Sequence, residues 1–157
     1  MRDIDWQDLE AIKRLKYKYQ RSIDTKQWDE LRECFTDDAK AAYSGGKFSF
    51  DSRDAIMQFL QGSMGGDTFH SCHAVSQPEI ELIDERTATG RWCLQDTVID
   101  TGFDMMVQGA GFYEDEYRKG DDGVWRISKT GYQRTYEQML PRKSIEGLTL
   151  TESRWKK

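Results

Sequence analysis

Apolar residues recur along this chain in two rhythms, and the switch between them divides it. From Ile4 onward Leu9, Ile12, Leu15, Tyr19 and Ile23 fall three or four positions apart, which predicts one long helix with a single buried stripe. Trp28, Leu31 and Phe35 repeat that spacing, predicting a shorter second helix that ends in the following Thr-Asp-Asp-Ala-Lys. A short hairpin is expected next, in Ala-Ala-Tyr-Ser-Gly-Gly-Lys-Phe-Ser-Phe, turning on Gly45 and Gly46. Ser52 is placed to cap a third helix whose apolar face is Ile56, Phe59 and Leu60.

Beyond residue 67 the period falls to two. The segments 68–75, 78–84, 87–100, 105–120 and 124–138 alternate, or are rich in β-branched and aromatic residues, so each predicts a strand. Residues 84–87 and 119–123 read as hairpin turns, and the chain from Pro141 is a polar, loosely attached tail. A block of helices followed by a meander of strands is an α+β pattern, with the helices on one face of a curved, mainly antiparallel sheet. Such a sheet wrapped around a helix forms a cone, a shape that suits a pocket between the sheet's inner face and the first helix.

Strand parity picks out polar residues on the apolar faces. In 90–98, Asp96 shares its side with Gly90, Trp92, Leu94 and Val98. Phe69, Ser71, His73 and Val75 share another, with His70 and Cys72 opposite. Tyr132, Arg134 and Tyr136 are expected together in the last strand, with Val124 and Ser128 further back. Burying Asp, His and Arg without partners is costly, so the economical arrangement has them partner one another around a pocket. Each also has a plainer reading. Tyr19 fits a core aromatic with its hydroxyl at the surface, Asp24 a cap of the second helix, and His73 a satisfied core histidine oriented by Asp96. Arg134 fits an exposed ion pair worth little.

Composition narrows the function classes. With 157 residues, 37% hydrophobic, 32% charged and 12% aromatic, the chain suits one soluble globular domain. A net charge of −5 and no basic face exclude a nucleic-acid footprint. No run approaches the ~20 apolar residues of a membrane span, and residues 1–16 carry no apolar leader region, so a cytoplasmic protein without membrane contact is expected. Cys34, Cys72 and Cys93 are odd in number and scattered, as reduced thiols would be. His70 and His73 point to opposite strand faces and no paired metal-ligand spacing occurs, which argues against a zinc site. Phosphate-binding loops and a serine nucleophile elbow are missing as well. A neutral imidazole beside a carboxylate is a general base with its tautomer fixed, and a tyrosine or arginine can hold the oxyanion that proton abstraction creates. That chemistry requires no cofactor and no metal.

Four phrases carry a family resemblance: residues 9–31, 41–50, 73–96 and 129–138. In this order they resemble the SnoaL-like branch of the nuclear transport factor 2-like superfamily, which includes ketosteroid isomerase, scytalone dehydratase and the lindane dehydrochlorinase. The likeness runs most fully to the bile acid 7α-dehydratases of intestinal bacteria. It implies a cone-shaped α+β barrel over residues 1–140 with a tail over 141–157. It further implies catalytic roles for Tyr19, Asp24, His73 and Asp96, and substrate binding by Tyr43 and Arg134. Tyr19 would hold a substrate carbonyl and Asp24 would hold His73, with Asp96 supporting the imidazole. The implied activity is cofactor-independent loss of water from a 7α-hydroxy-3-oxo-Δ4 steroid, as a free acid or a coenzyme A thioester, by a homodimer or homotrimer. Two other readings stay open: another proton-abstraction reaction (isomerase, dehydrohalogenase, polyketide cyclase), or a non-catalytic small-ligand binder or dioxygenase small partner.

Overall fold

The computed structural model describes residues 5–155; Ile4, where the first stripe was read to begin, and the last two residues of the tail lie outside the described residues. Helix α1 spans Trp6–Asp24 and is capped by Asp5, whose carboxylate accepts from the backbone of Gln7 and Asp8 at 2.9 and 3.2 Å. Its stripe is buried as the spacing predicts: Ile12, Leu15, Tyr19 and Ile23 are all core residues. Helix α2, Trp28–Glu33, is shorter than expected, because Phe35 opens strand β1, Phe35–Tyr43. Phe35 is fully buried at the start of this strand, and it fits the helical spacing by coincidence. The long-range partner that makes β1 a strand is β6, with which Ala41 and Ala42 pair in parallel.

The turn at Ser44–Lys47 leads to β2, Phe48–Phe50, antiparallel to β1. Ser44, Gly45 and Gly46 all have positive φ, the backbone region in which glycine is unstrained. Ser52 accepts from the Ala55 amide at 3.1 Å and starts α3, Arg53–Met64. Strands β3 (Phe69–Leu82), β4 (Thr87–Asp100), β5 (Met105–Lys119) and β6 (Trp125–Pro141) complete a single sheet of order β2-β1-β6-β5-β4-β3. Segments expected as two strands form one, since β3 runs through a bulge between Ser76 and Glu79, with Gln77 at positive φ.

Registers across β3, β4, β5 and β6 arrange the inner face in rows. In order along the strands these are Leu82, Ala88, Tyr117, Ile127; then Ile80, Gly90, Asp115; then Trp92, Tyr113, Tyr132; then Val75, Leu94, Gly111, Arg134; then His73, Asp96, Gly109, Glu137; and then Ser71, Val98, Val107, Met139. Two bulges in β6 correct the expected parity. One, between the Gly111–Arg134 and Ala110–Tyr136 pairs, turns Tyr136 to the outer face, where it is 55% exposed. The other, near Ser128, puts Trp125 and Ile127 inside instead of Val124 and Ser128. Helix α1 lies along the inner face against β3 and β6, and α3 covers β1. The tail also differs from expectation: a short 3-10 turn, Arg142–Ser144, follows β6, and Ser153 returns to hydrogen-bond His70 at 2.7 Å. Among the described residues no helix is long and apolar enough to cross a membrane.

Candidate active site

Helix α1 ends where the site begins. Thr25 caps it and Lys26 takes a positive φ, so Asp24, in the last turn, projects toward β3 and does not cap α2. The α2 cap position is Gln27, whose side chain makes no capping bond. The Asp24 carboxylate accepts three hydrogen bonds, all from β3: Ser71 Oγ at 2.8 Å, the His73 amide at 2.8 Å and His73 Nδ1 at 2.7 Å. Because Nδ1 faces a carboxylate it carries the proton of the neutral ring, which leaves Nε2 with the lone pair. Nε2 has no hydrogen bond among the described residues. The two side chains are 9% and 20% exposed, so the dyad is sheltered without being sealed.

Asp96 does not support the imidazole. It lies directly across from His73 in the strand pair, but Arg134 takes its carboxylate with both terminal nitrogens, one at 2.9 Å from Oδ2. The guanidinium spans the whole width of β5 to do so, and Gly109 makes this possible: a Cβ there would collide with Arg134 Nη1. Arg134 Nε also meets Glu137 at 3.1 Å. The Asp96 hydrogen bond holds the guanidinium charge still more firmly than usual.

The phenols lie deeper. Tyr19 sits about 7.5 Å below Asp24 along the helix, with its hydroxyl 2.9 Å from that of Tyr43. Tyr43 stacks on Phe59 at 6.0 Å, and Tyr132 donates to or accepts from Ser44 at 3.0 Å. Burial pushes the Tyr19 and Tyr43 phenols well above the ordinary value of 10.0, so both keep their protons as donors. The inner side therefore carries a sheltered imidazole–carboxylate pair and, deeper along α1, a buried pair of tyrosine hydroxyls. A groove of about 850 Å³ lies on the other face of the sheet, lined by Phe112, Glu114, Lys129 and Gln133. Tyr132 and Arg134 border it as well, whereas Tyr19, Asp24 and His73 do not.

A sequence model of the SnoaL-like domain matches residues 5–131. The chain belongs to the SnoaL-like family. Solved structures repeat this SnoaL-like fold. One is a protein from Novosphingobium aromaticivorans DSM 12444 provisionally assigned as a scytalone dehydratase, with a TM-score of 0.76 and 24% identity over 83% of this chain and 86% of that one. Another is the hexachlorocyclohexane dehydrochlorinase LinA-type3 from Novosphingobium barchaimii LL02, with a TM-score of 0.78 and 18% identity over 93% and 95%. A third, Rv3472 from Mycobacterium tuberculosis, of unknown function, has a TM-score of 0.70 and 24% identity over 82% and 72%.

This SnoaL-like domain also buries polar residues that the sequence reading passed over. Lys16 and Asp115 form an ion pair at 2.7 Å with both side chains fully buried. Asp115 further accepts from Tyr117 at 2.7 Å and Thr130 at 2.6 Å, while the Lys16 ammonium lies 3.4 Å from the Tyr113 ring centroid. Gln20 is 3% exposed. A signal for them exists in the chain: Lys16, Gln20 and Asp24 are spaced by four, a polar stripe beside the apolar one. Alternation in 113–117 likewise places Asp115 between Tyr113 and Tyr117, as Asp96 sits among apolar neighbours in β4.

Proposed function

We propose that this protein is a cofactor-independent dehydratase acting on a hydroxylated enone, a 7α-hydroxy-3-oxo-Δ4 steroid or bile acid being the substrate that suits it best. The observation that carries the reading is the His73 ring locked at Nδ1 by Asp24 with Nε2 left free, on the same inner face as the Tyr19–Tyr43 hydroxyl pair. His73 Nε2 takes the proton from C6, and the electron pair moves through the conjugated system onto the 3-oxygen. Tyr19 donates a hydrogen bond to that oxygen as its charge grows. The imidazolium, its charge balanced by Asp24, then gives the proton to the departing 7-hydroxyl as the new double bond forms. One residue serves as base and then acid, so proton and hydroxyl leave from the same side. Arg134, held by Asp96, borders the substrate. The dehydratase and dehydrochlorinase names among the structural relatives agree with an elimination.

Incubation with a 7α-hydroxy-3-oxo-4-ene steroid tests this. Growth of the absorbance of the extended dienone with wild type and its loss in His73→Ala is expected, since removing such a group costs about 10²–10⁴-fold in rate. No growth with wild type would sink the dehydratase reading.

A further inference from the structure

We propose that the Gln20 side chain is a second hydrogen-bond donor to the substrate oxygen, beside Tyr19; this rests on the enone reading above. Helix α1 turns three polar residues toward the sheet, one per turn, and two of them have a charged or hydrogen-bonded partner there. Lys16 is paired with Asp115, and Asp24 accepts from Ser71 and twice from His73. Gln20 lies between them at 3% exposure, and neither its amide nitrogen nor its amide oxygen has a hydrogen-bond partner among the described residues. The Tyr113 phenol is close enough for Gln20 to pull its ionisation down, against a larger upward push from burial, but no hydrogen bond of acceptable geometry joins them.

Native folds avoid leaving a buried donor and a buried acceptor unpaired on one side chain, because both have given up water for nothing. The exception arises where a bound molecule completes the bonds. Gln20 follows Tyr19 in the chain, and the two residues share Tyr113 as a neighbour, the Tyr19 and Tyr113 rings being 6.3 Å apart. On this assignment the substrate oxygen held by the Tyr19 hydroxyl also meets the Gln20 amide. Two neutral donors, a phenol and a carboxamide, meet an enolate oxygen without adding a charge that must be buried when the site is empty. Lys16 cannot take that part, as its ammonium is held by Asp115 and the tyrosine rings.

This assignment separates stability from ligand recognition. Gln20→Leu replaces an unpaired amide with an apolar side chain of similar size, so the midpoint of thermal unfolding without ligand rises. Gln20→Met, unbranched like glutamine, guards against a packing defect. A 3-oxo-4-ene steroid lacking the 7-hydroxyl binds without reacting, and its enone band moves to longer wavelength with each hydrogen bond donated to the carbonyl. Both variants should lose part of that shift, and with the hydroxylated substrate their kcat should fall about 10²-fold, with KM changing far less. A lower unfolding midpoint in both variants would mean that the amide holds Tyr113 in place, and an unchanged band shift would mean that it does not touch the carbonyl; either result overturns the proposal. If wild type itself fails to bind the enone, it is the enone reading that falls. The unfolding midpoints then decide separately whether the amide belongs to a ligand or to the fold.

Discussion

At position 24 one carboxylate fixes both the ring and the strand that carries it, because it bonds the His73 side chain and the His73 amide together. Asp24→Asn keeps the shape and removes a charge, but its NH2 must face either the His73 backbone N–H or the ring Nδ1, so one of the two bonds is lost or the imidazole is forced into its other tautomer. A kcat fall of about 10³-fold is expected, with the circular dichroism spectrum unchanged. Gly109→Ala acts from the opposite side of the face. The added methyl pushes the guanidinium aside and leaves Asp96 buried without its cation, so stability falls by about 3–5 kcal/mol. Chemical denaturation and turnover of the same sample check both halves. His73, Asp96 and Arg134 were legible as polar residues on apolar strand faces. The family resemblance implied the Asp24–His73 pairing, but not that Arg134 takes Asp96, since which carboxylate meets which cation depends on register, on a bulge at Thr135 and on a glycine that clears the path.

Among the elements, α1 carries most of what the sequence announces and most of what it conceals. Its apolar stripe is read without ambiguity, but the polar stripe beside it resembles a solvated edge until β5 is placed against it. The Lys16–Asp115 pair is then a buried charge pair, stable only as a pair. Lys16→Met should cost about 3–5 kcal/mol in urea unfolding, because Asp115 is left buried and charged. The double variant Lys16→Met, Asp115→Leu should recover much of that loss. Strand β1 was misread for a related reason. Phe35 fits the helical spacing and residues 36–40 read as the end of that helix, so the strand was expected only from Ala41; the pairing that extends it back to Phe35 comes from β6, some ninety positions later.

Over the whole molecule the interior is built from ionisable rings. Tyr19, Tyr43, Tyr113 and Tyr117 all have their phenols raised above 10.0, with burial the leading cause. The folded state thus holds these protons more tightly than the unfolded chain. Their contribution to stability is complete below about pH 10 and is lost as the pH climbs through the folded values. Lys16 acts with the opposite sign: burial lowers its pKa from 10.5, so the fold gives up that proton first and stability is regained as pH rises toward 10.5. Four groups outweigh one. Unfolding free energy should drop above about pH 10 by up to ~1.4 kcal/mol per pH unit for each buried tyrosine, as urea titrations between pH 8 and 11 would report. The parallel union of β1 with β6 has a further consequence for how the protein is made. Residues 35–43 leave the ribosome long before residues 125–141 exist to receive them. Through most of synthesis β1 has only the three-residue strand β2 to pair with, and the sheet cannot close until the last strand emerges. The sheet therefore closes only after residues 125–141 have been made, and a nascent chain stalled before residue 125 would expose β1 as an unprotected edge, open to chaperones or to its own neighbours on the polysome.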